Sequence, residues 1–213
     1  MKIGILGSGG VATTLAAGFL GEGHAVMLGT RNAAQLGDWH AKQRDAQIGS
    51  VAEAAAFGEL IVLAVKGTAA EAVLRAAAPA LAGKVVIDAT NPIADAPPED
   101  GVLRYFTGPN ESLMERLQAQ HPSARLVKAF NSVGAGLMVK PKLPGGRPSM
   151  FIAGNDADAK TQVTRLLDAF GWDSEDMGGV KAARAIEPLA MLWCIPGLLR
   201  NDWAHAFRML RHA

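Results

Sequence analysis

The sequence predicts an α/β fold in which a doubly wound, mostly parallel sheet is followed by C-terminal helices, and three observations carry that expectation. Four short runs, Lys2 to Leu6, Leu60 to Val65, Val85 to Ala89 and Leu126 to Ala129, are rich in Ile, Val and Leu without clear polar alternation. Strands buried on both faces between helix layers look like this. Between the runs, apolar residues recur at helical spacing, and the first run empties into a glycine turn at Gly7 that opens a helix. The 213 residues, 49% hydrophobic against 19% charged, supply a core for one such unit with an appendage and exclude global disorder.

Taken in chain order, Lys2 to Leu6 is the first strand, and Val11, Ala12, Leu15, Ala16, Phe19 and Leu20 form the stripe of the first helix. His24 to Gly29 completes a βαβ unit. Leu60 to Val65 follows, then a helix with the stripe Ala70, Val73, Leu74 and Ala77, then the strand Val85 to Ala89. Pro92 to Asn110 carries Pro92, Pro97, Pro98, Pro109, Gly101 and Gly108, too many breakers for anything but a long loop. Ser112 and Glu115 have capping-box spacing for a helix through about Gln120, which feeds the Leu126 strand. A second irregular stretch, Gly134 to Ser149, precedes a strand at Met150 to Ala153 and a helix to Phe170 capped by Asn155 or Asp156. From Leu189, the residues Leu192, Trp193, Leu199, Trp203, Phe207 and Leu210 recur at spacings of three or four, predicting terminal helices broken near Pro196 and Gly197. The boundary is expected between a 1–179 nucleotide-binding domain with an extended sheet and a 180–213 helical segment.

Balanced charge, Lys+Arg 21 against Asp+Glu 20, leaves no global field to gather nucleic acid or an acidic membrane, so neither is expected as a partner. The single cysteine, Cys194, has no intramolecular partner, and the start of the chain lacks signal-peptide shape, which points to the cytoplasm. Apolar stretches such as Leu60 to Val65 are far shorter than the roughly 20 residues of a membrane-crossing helix. The histidines form no metal-ligand spacing, and no metal is expected.

Gly7, Ser8, Gly9, Gly10, Val11 and Ala12 read G-x-G-x-x-A on a strand-to-helix turn, the dinucleotide fingerprint of a Rossmann-type unit. Gly7 permits the tight turn, Gly9 the approach of a pyrophosphate, and Ala12 close helix packing, while the helix N-terminus offers free N–H groups to phosphate. An NAD site would place an acidic residue after the second strand. Here Gly29 is followed by Thr30, Arg31 and Asn32, and the first acidic residue is Asp38. Two hydrogen-bonding side chains and a permanent cation suit the 2′-phosphate of NADP(H). Ala64, Val65 and Lys66, and Thr90, Asn91 and Pro92, fall at carboxyl ends of strands, where open α/β sheets place their crevice.

These residues resemble the coenzyme F-420-dependent NADP reductases, a family related to the oxidoreductase domain of STEAP metalloreductases. The resemblance covers most of the chain: the Gly7 to Ala12 turn, Gly29-Thr30-Arg31, Asp88 to Pro92, Val127-Lys128-Ala129-Phe130-Asn131, Met150 to Gly154, and Ala183-Arg184 with Glu187. It implies that Phe130 and Asn131 face the nicotinamide and acceptor crevice as orienting residues, and it makes Lys128 and Glu187 further candidates. The implied activity is hydride transfer between NADPH and a small-molecule acceptor, either flavin-like, a deazaflavin (F-420) or another small molecule. For an anionic deazaflavin tail, Lys140, Lys142 and Arg147 are the available cations of the second loop. A non-catalytic NADP(H)-binding sensor and a pyrroline-5-carboxylate or imine reductase-like enzyme are the alternatives. Two tryptophans and a phenylalanine near the chain end exceed what a short appendage buries, and with the resemblance they predict a homodimer through the C-terminal helices.

Overall fold

In the computed structural model, which describes residues 1–212, every run of branched apolar residues singled out above is a strand. The order is β1 (Lys2–Leu6), α1 (Gly10–Gly21), β2 (Ala25–Gly29), α2 (Gly37–Lys42), β3 (Gln47–Gly49), α3 (Val51–Phe57), β4 (Leu60–Leu63), α4 (Gly67–Ala77), β5 (Val85–Asp88), α5 (Leu113–Gln120), β6 (Arg125–Lys128), β7 (Ser149–Ile152), α6 (Ala157–Ala169), β8 (Asp173–Asp176) and α7 (Ala183–Arg200). Six strands form one fully parallel sheet in the order β3-β2-β1-β4-β5-β6. The order in which successive strands are added reverses between β1 and β4, and this switch opens the crevice at their carboxyl ends.

The pleat sorts these apolar strands onto two cores. Ile3, Ile5, Leu60, Val62, Val85 and Ile87 face α1 and α6, whereas Leu6, Ile61, Leu63, Val86 and Leu126 face α3, α4 and α5. Continuous apolar runs are required because both faces are covered. Ser112 closes the expected capping box with Glu115, and Asp156, rather than Asn155, caps α6.

Three expectations are corrected. The sheet is not extended by the strand after the second loop: β7 pairs only with β8 in a separate parallel pair, tied to the main sheet by a single bridge between Lys128 and Ala153. The terminal region is one helix with a non-helical tail. α7 runs through both Pro188 and Pro196, and each proline forgoes one backbone hydrogen bond, which the packing of Ile186, Ala190 and Trp193 offsets. After the left-handed Asn201, the tail folds back: Trp193 Nε1 donates to the His205 carbonyl at 2.7 Å, and Ser149 N donates to the Phe207 carbonyl at 2.9 Å. Phe207 and Leu210 therefore do not continue a helical stripe. Finally, Val180–Arg200 is long and apolar enough to cross a membrane, with mean hydropathy 1.3, contrary to the expectation that no stretch approaches that length. Its inward face is docked on the protein, with Glu187 buried.

Candidate active site

Gly7 is where β1 must turn closely past β4. Its φ is +139°, and a Cβ there would lie 2.2 Å from the Ala64 carbonyl oxygen. The turn delivers Gly9 as the N-cap of α1, with no side-chain cap, and a Cβ on Gly9 or Gly10 would meet nothing within 4 Å. Free N–H groups at a helix N-terminus thus face an open groove, the geometry that a pyrophosphate requires. The groove has a volume of about 870 Å³ and is lined by Gly7, Ser8, Gly9, Gly10 and Val11, by Thr30, Arg31 and Asn32, and by Ala64, Val65 and Lys66. Ala12 is buried beneath it, as close packing demands.

At the far end of the groove, Thr30 Oγ1 donates to Ser8 Oγ at 3.1 Å and accepts from Asn32 N at 3.1 Å, joining the two loops. Asn32 Oδ1 caps the short 3-10 turn at Ala34, so its amide N–H groups are what it can offer a ligand. Arg31 is exposed. Among the described residues, no carboxylate lines this groove. The donor set fits a dinucleotide with a 2′-phosphate.

A second cleft, about 670 Å³, adjoins the first and shares Val11, Val65, Lys66 and Ala89 with it. Thr90 and Asn91 lie on one side, and Ile93, Ala94, Asp95, Ala96 and Pro97 from the long loop on the other. Gly67 lets α4 start against this loop, since a Cβ there would fall 1.9 Å from the Asn91 carbonyl oxygen. Pro92 is buried behind the lining.

Asn131 stands one layer back. It is 4% exposed, its Nδ2 donates to Asn91 Oδ1 at 3.1 Å and to the Ile186 carbonyl at 3.0 Å, and Asn91 Nδ2 donates to the Asn131 carbonyl at 2.8 Å. The two amides are clasped, and α7 is tied to the clasp. Asn131 Oδ1 is buried and has no hydrogen-bond partner among the described residues. Phe130 does not face the crevice as expected. It is fully buried, its ring centroid lies 6.0 Å from that of Phe170, and its φ of +63° makes it the bend that presents Asn131.

Beneath Thr90 lies a buried ion cluster. Lys128 Nζ is 2.7 Å from Asp88 Oδ2 and 2.8 Å from Glu187 Oε1, and it donates to the Thr90 carbonyl at 2.9 Å. Burial by itself would lower the lysine's pKa, but the two carboxylates outweigh it and hold the pKa above the ordinary lysine value. Thr90 N and Oγ1 both donate to Asp88 Oδ1, at 2.9 and 2.6 Å, while Glu187 accepts from Leu113 N and Met114 N at the start of α5. Lys128 and Glu187 thus act on the cleft through Thr90. Sequence reasoning left Asp88 without a role, although two opposite charges end adjacent apolar strands and fall in the same register, Asp88 opposite Lys128.

The second-loop cations are not at the acceptor cleft. Lys140 pairs with Glu22 at 2.5 Å, Arg147 pairs with Asp168 and Asp173 at 2.8 and 3.0 Å, and Lys142 is exposed and absent from the cleft lining. The Gly134–Ser149 loop packs on the α1 and β8 side of the protein, away from the strand ends. Also missed in the sequence were Gln35, Val51, Ala69 and Val73 along the first groove and Ile93 to Pro97 along the second. Apart from Gln35 and Asp95 their side chains are apolar, and those two stand in no motif.

Comparisons with known proteins agree with this geometry. The family described as NADP oxidoreductase, coenzyme F420-dependent, matches residues 2–92. The F420-dependent NADP reductase of Methanothermobacter marburgensis is 31% identical over 216 residues, covering 94% of this chain and 96% of that protein. The metalloreductase STEAP3 of Rattus norvegicus is 33% identical over 202 residues, and this chain spans only 39% of its length while 93% of the chain is matched. Among solved structures, a putative F420-dependent NADP-reductase from Arthrobacter sp. FB24 superposes with a TM-score of 0.93 at 33% identity, covering 99% of this chain and 100% of that one. An imine reductase from Streptomyces aurantiacus shares the fold alone, with a TM-score of 0.67 at 19% identity over 93% of this chain and 63% of that one.

Proposed function

The chain belongs to the coenzyme F420-dependent NADP oxidoreductase family, and on that premise we propose that it passes hydride between NADPH in the first groove and a flavin-like or deazaflavin acceptor in the second. The observation that carries this reading is the adjoining of the two clefts across Val11, Val65 and Ala89, apolar residues against which two planar rings can meet, with Lys66 also bordering both clefts. Bound NADPH supplies two electrons and a proton as hydride from nicotinamide C4, which with one proton from solvent converts an oxidised flavin-like ring into its dihydro form.

The protein's part is positioning. The α1 N-terminus and Gly9 hold the pyrophosphate, and Thr30, Arg31 and Asn32 hold the 2′-phosphate. Asn91, fixed by Asn131, meets the reacting rings, and Ile93, Ala94, Ala96 and Pro97 of the long loop exclude water on the acceptor side. The test is anaerobic NADPH oxidation with deazaflavin F-420, FMN, ferric chelates and cyclic imines. Rapid turnover with the ring acceptors is expected. Tight NADPH binding with no acceptor turned over would instead identify a sensor module, and turnover confined to cyclic imines would identify an imine reductase.

A further inference from the structure

Among the described residues, three charged side chains line the two clefts: Arg31, Lys66 and Asp95. Arg31 belongs to the 2′-phosphate end. Lys66 lies across the glycine turn from it, at the start of α4, and is the only one of the three that borders both clefts. Its ammonium is 3.5 Å from Asp95 Oδ1 on the long loop, so the pair bridges the strand ends and the loop at the acceptor cleft. The lysine side chain is 82% exposed and the aspartate side chain 68% exposed. An ion pair this open adds little to stability, and exchanging its aspartate for another anion costs correspondingly little.

The remainder of the acceptor cleft is uncharged: Val11, Val65, Ala89, Ile93, Ala94 and Pro97 offer flat apolar contact. Such a lining accommodates an apolar ring but does not discriminate among rings. We infer that Lys66 is a specificity-determining residue that selects acceptors carrying an anionic substituent on an otherwise apolar ring system, with Asp95 occupying the lysine until such an acceptor displaces it. This rests on the second cleft being the acceptor site. Lys66 borders both clefts whereas Asp95 borders only the second, so a group that reaches the junction meets the ammonium. The positive charge therefore governs the junction.

FMN and riboflavin share one ring and differ by a phosphate, which makes them the probe. The protein saturated with NADP+ is titrated with each, flavin fluorescence reporting binding, and NADPH oxidation is followed in parallel. FMN is expected to bind on the order of two- to fivefold more tightly than riboflavin. Lys66→Gln should erase the difference, with a larger loss for FMN than for riboflavin or NADPH. Asp95→Asn should widen it, and added salt should narrow it. Equal affinities in the wild-type protein, binding of neither flavin, a difference that survives in Lys66→Gln, or a loss that falls mainly on NADPH would each overturn the inference. Turnover retained without phosphate selectivity overturns the role of Lys66 alone. Selective binding without hydride transfer to any acceptor overturns the reading of the cleft.

Discussion

At the scale of single residues, the candidate site separates polar side chains that meet ligand from polar side chains that hold the surrounding structure. Arg31 is of the first kind. A charge-assisted contact contributes roughly 1.5–3 kcal/mol, or about ten- to a hundredfold in affinity. Calorimetric titration should find NADPH tighter than NADH by that order, with Arg31→Ala closing most of the gap, and equal affinities in the wild-type protein would contradict the assignment. Asn131 is of the second kind. Because it touches Asn91 rather than the cleft, Asn131→Ala should slow single-turnover hydride transfer more than it weakens NADPH binding. Lys128 is wholly structural in its contacts. Lys128→Met leaves Asp88 and Glu187 buried without their cation, and denaturant unfolding at neutral pH should report a loss of about 3–5 kcal/mol. The sign of the wild-type pH dependence follows from the raised pKa: the stabilisation is complete below the unfolded lysine value of about 10.4 and is lost as pH rises through the folded value.

At the scale of elements, α7 is the part that organises the acceptor side. Its first turns reach α5 through Arg184, whose guanidinium makes a two-pronged contact to Glu115, with Nη2 2.7 Å from Oε1 and Nε 2.9 Å from Oε2. The same carboxylate closes the capping box with Ser112. The hydrogen bonds from Arg184 are the main reason that the Glu115 pKa lies below the usual carboxylate value. A depressed pKa gives stability that is present above the unfolded value of about 4.3 and is lost as pH falls through the folded one. Arg184→Ala should therefore lower the thermal midpoint at neutral pH, and the difference from wild type should shrink as the pH is taken through the carboxylate range. A constant difference across that range would place the effect in packing instead of charge. The capping box itself was legible in the sequence. Its second use was not, because Arg184 lies 69 residues from Glu115.

At the scale of the whole molecule, α7 and the tail leave apolar side chains on the surface. Trp193 is buried, but Leu192 is 55% exposed, Leu199 53% and Trp203 40%. Trp203 lies over Gly197, where a Cβ would come within 2.3 Å of its ring, so part of the aromatic surplus is absorbed within the chain. Leu192 and Leu199 remain, and a two-fold contact between copies of α7 would cover them. Light scattering at micromolar concentration should give a mass near twice 22.2 kDa, and Leu192→Glu should shift it toward the monomer. A wild-type monomer over that range would leave these leucines as ordinary surface residues.

By itself the sequence determined the main strands and their parallel direction, the glycine turn and the cation after β2, because each depends on residues a few positions apart: an apolar run, G-x-G-x-x-A, Thr30-Arg31-Asn32. Short-range signals also located the Ser112 cap and narrowed the start of α6 to Asn155 or Asp156. β8, Asp173–Asp176, escaped because its polar residues carry no strand pattern and its pairing partner, Ser149–Ile152, is more than twenty residues away. The sequence placed Phe130 and Asn131 together at a strand end but not their opposite fates, one ring in the core and one amide clasping Asn91. Only the tertiary structure decided that, along with the course of α7 through two prolines and the burial of Lys128 between two carboxylates. In each case the deciding interaction joins elements distant in the chain, and packing or charge across that gap outweighs what the local residues favour.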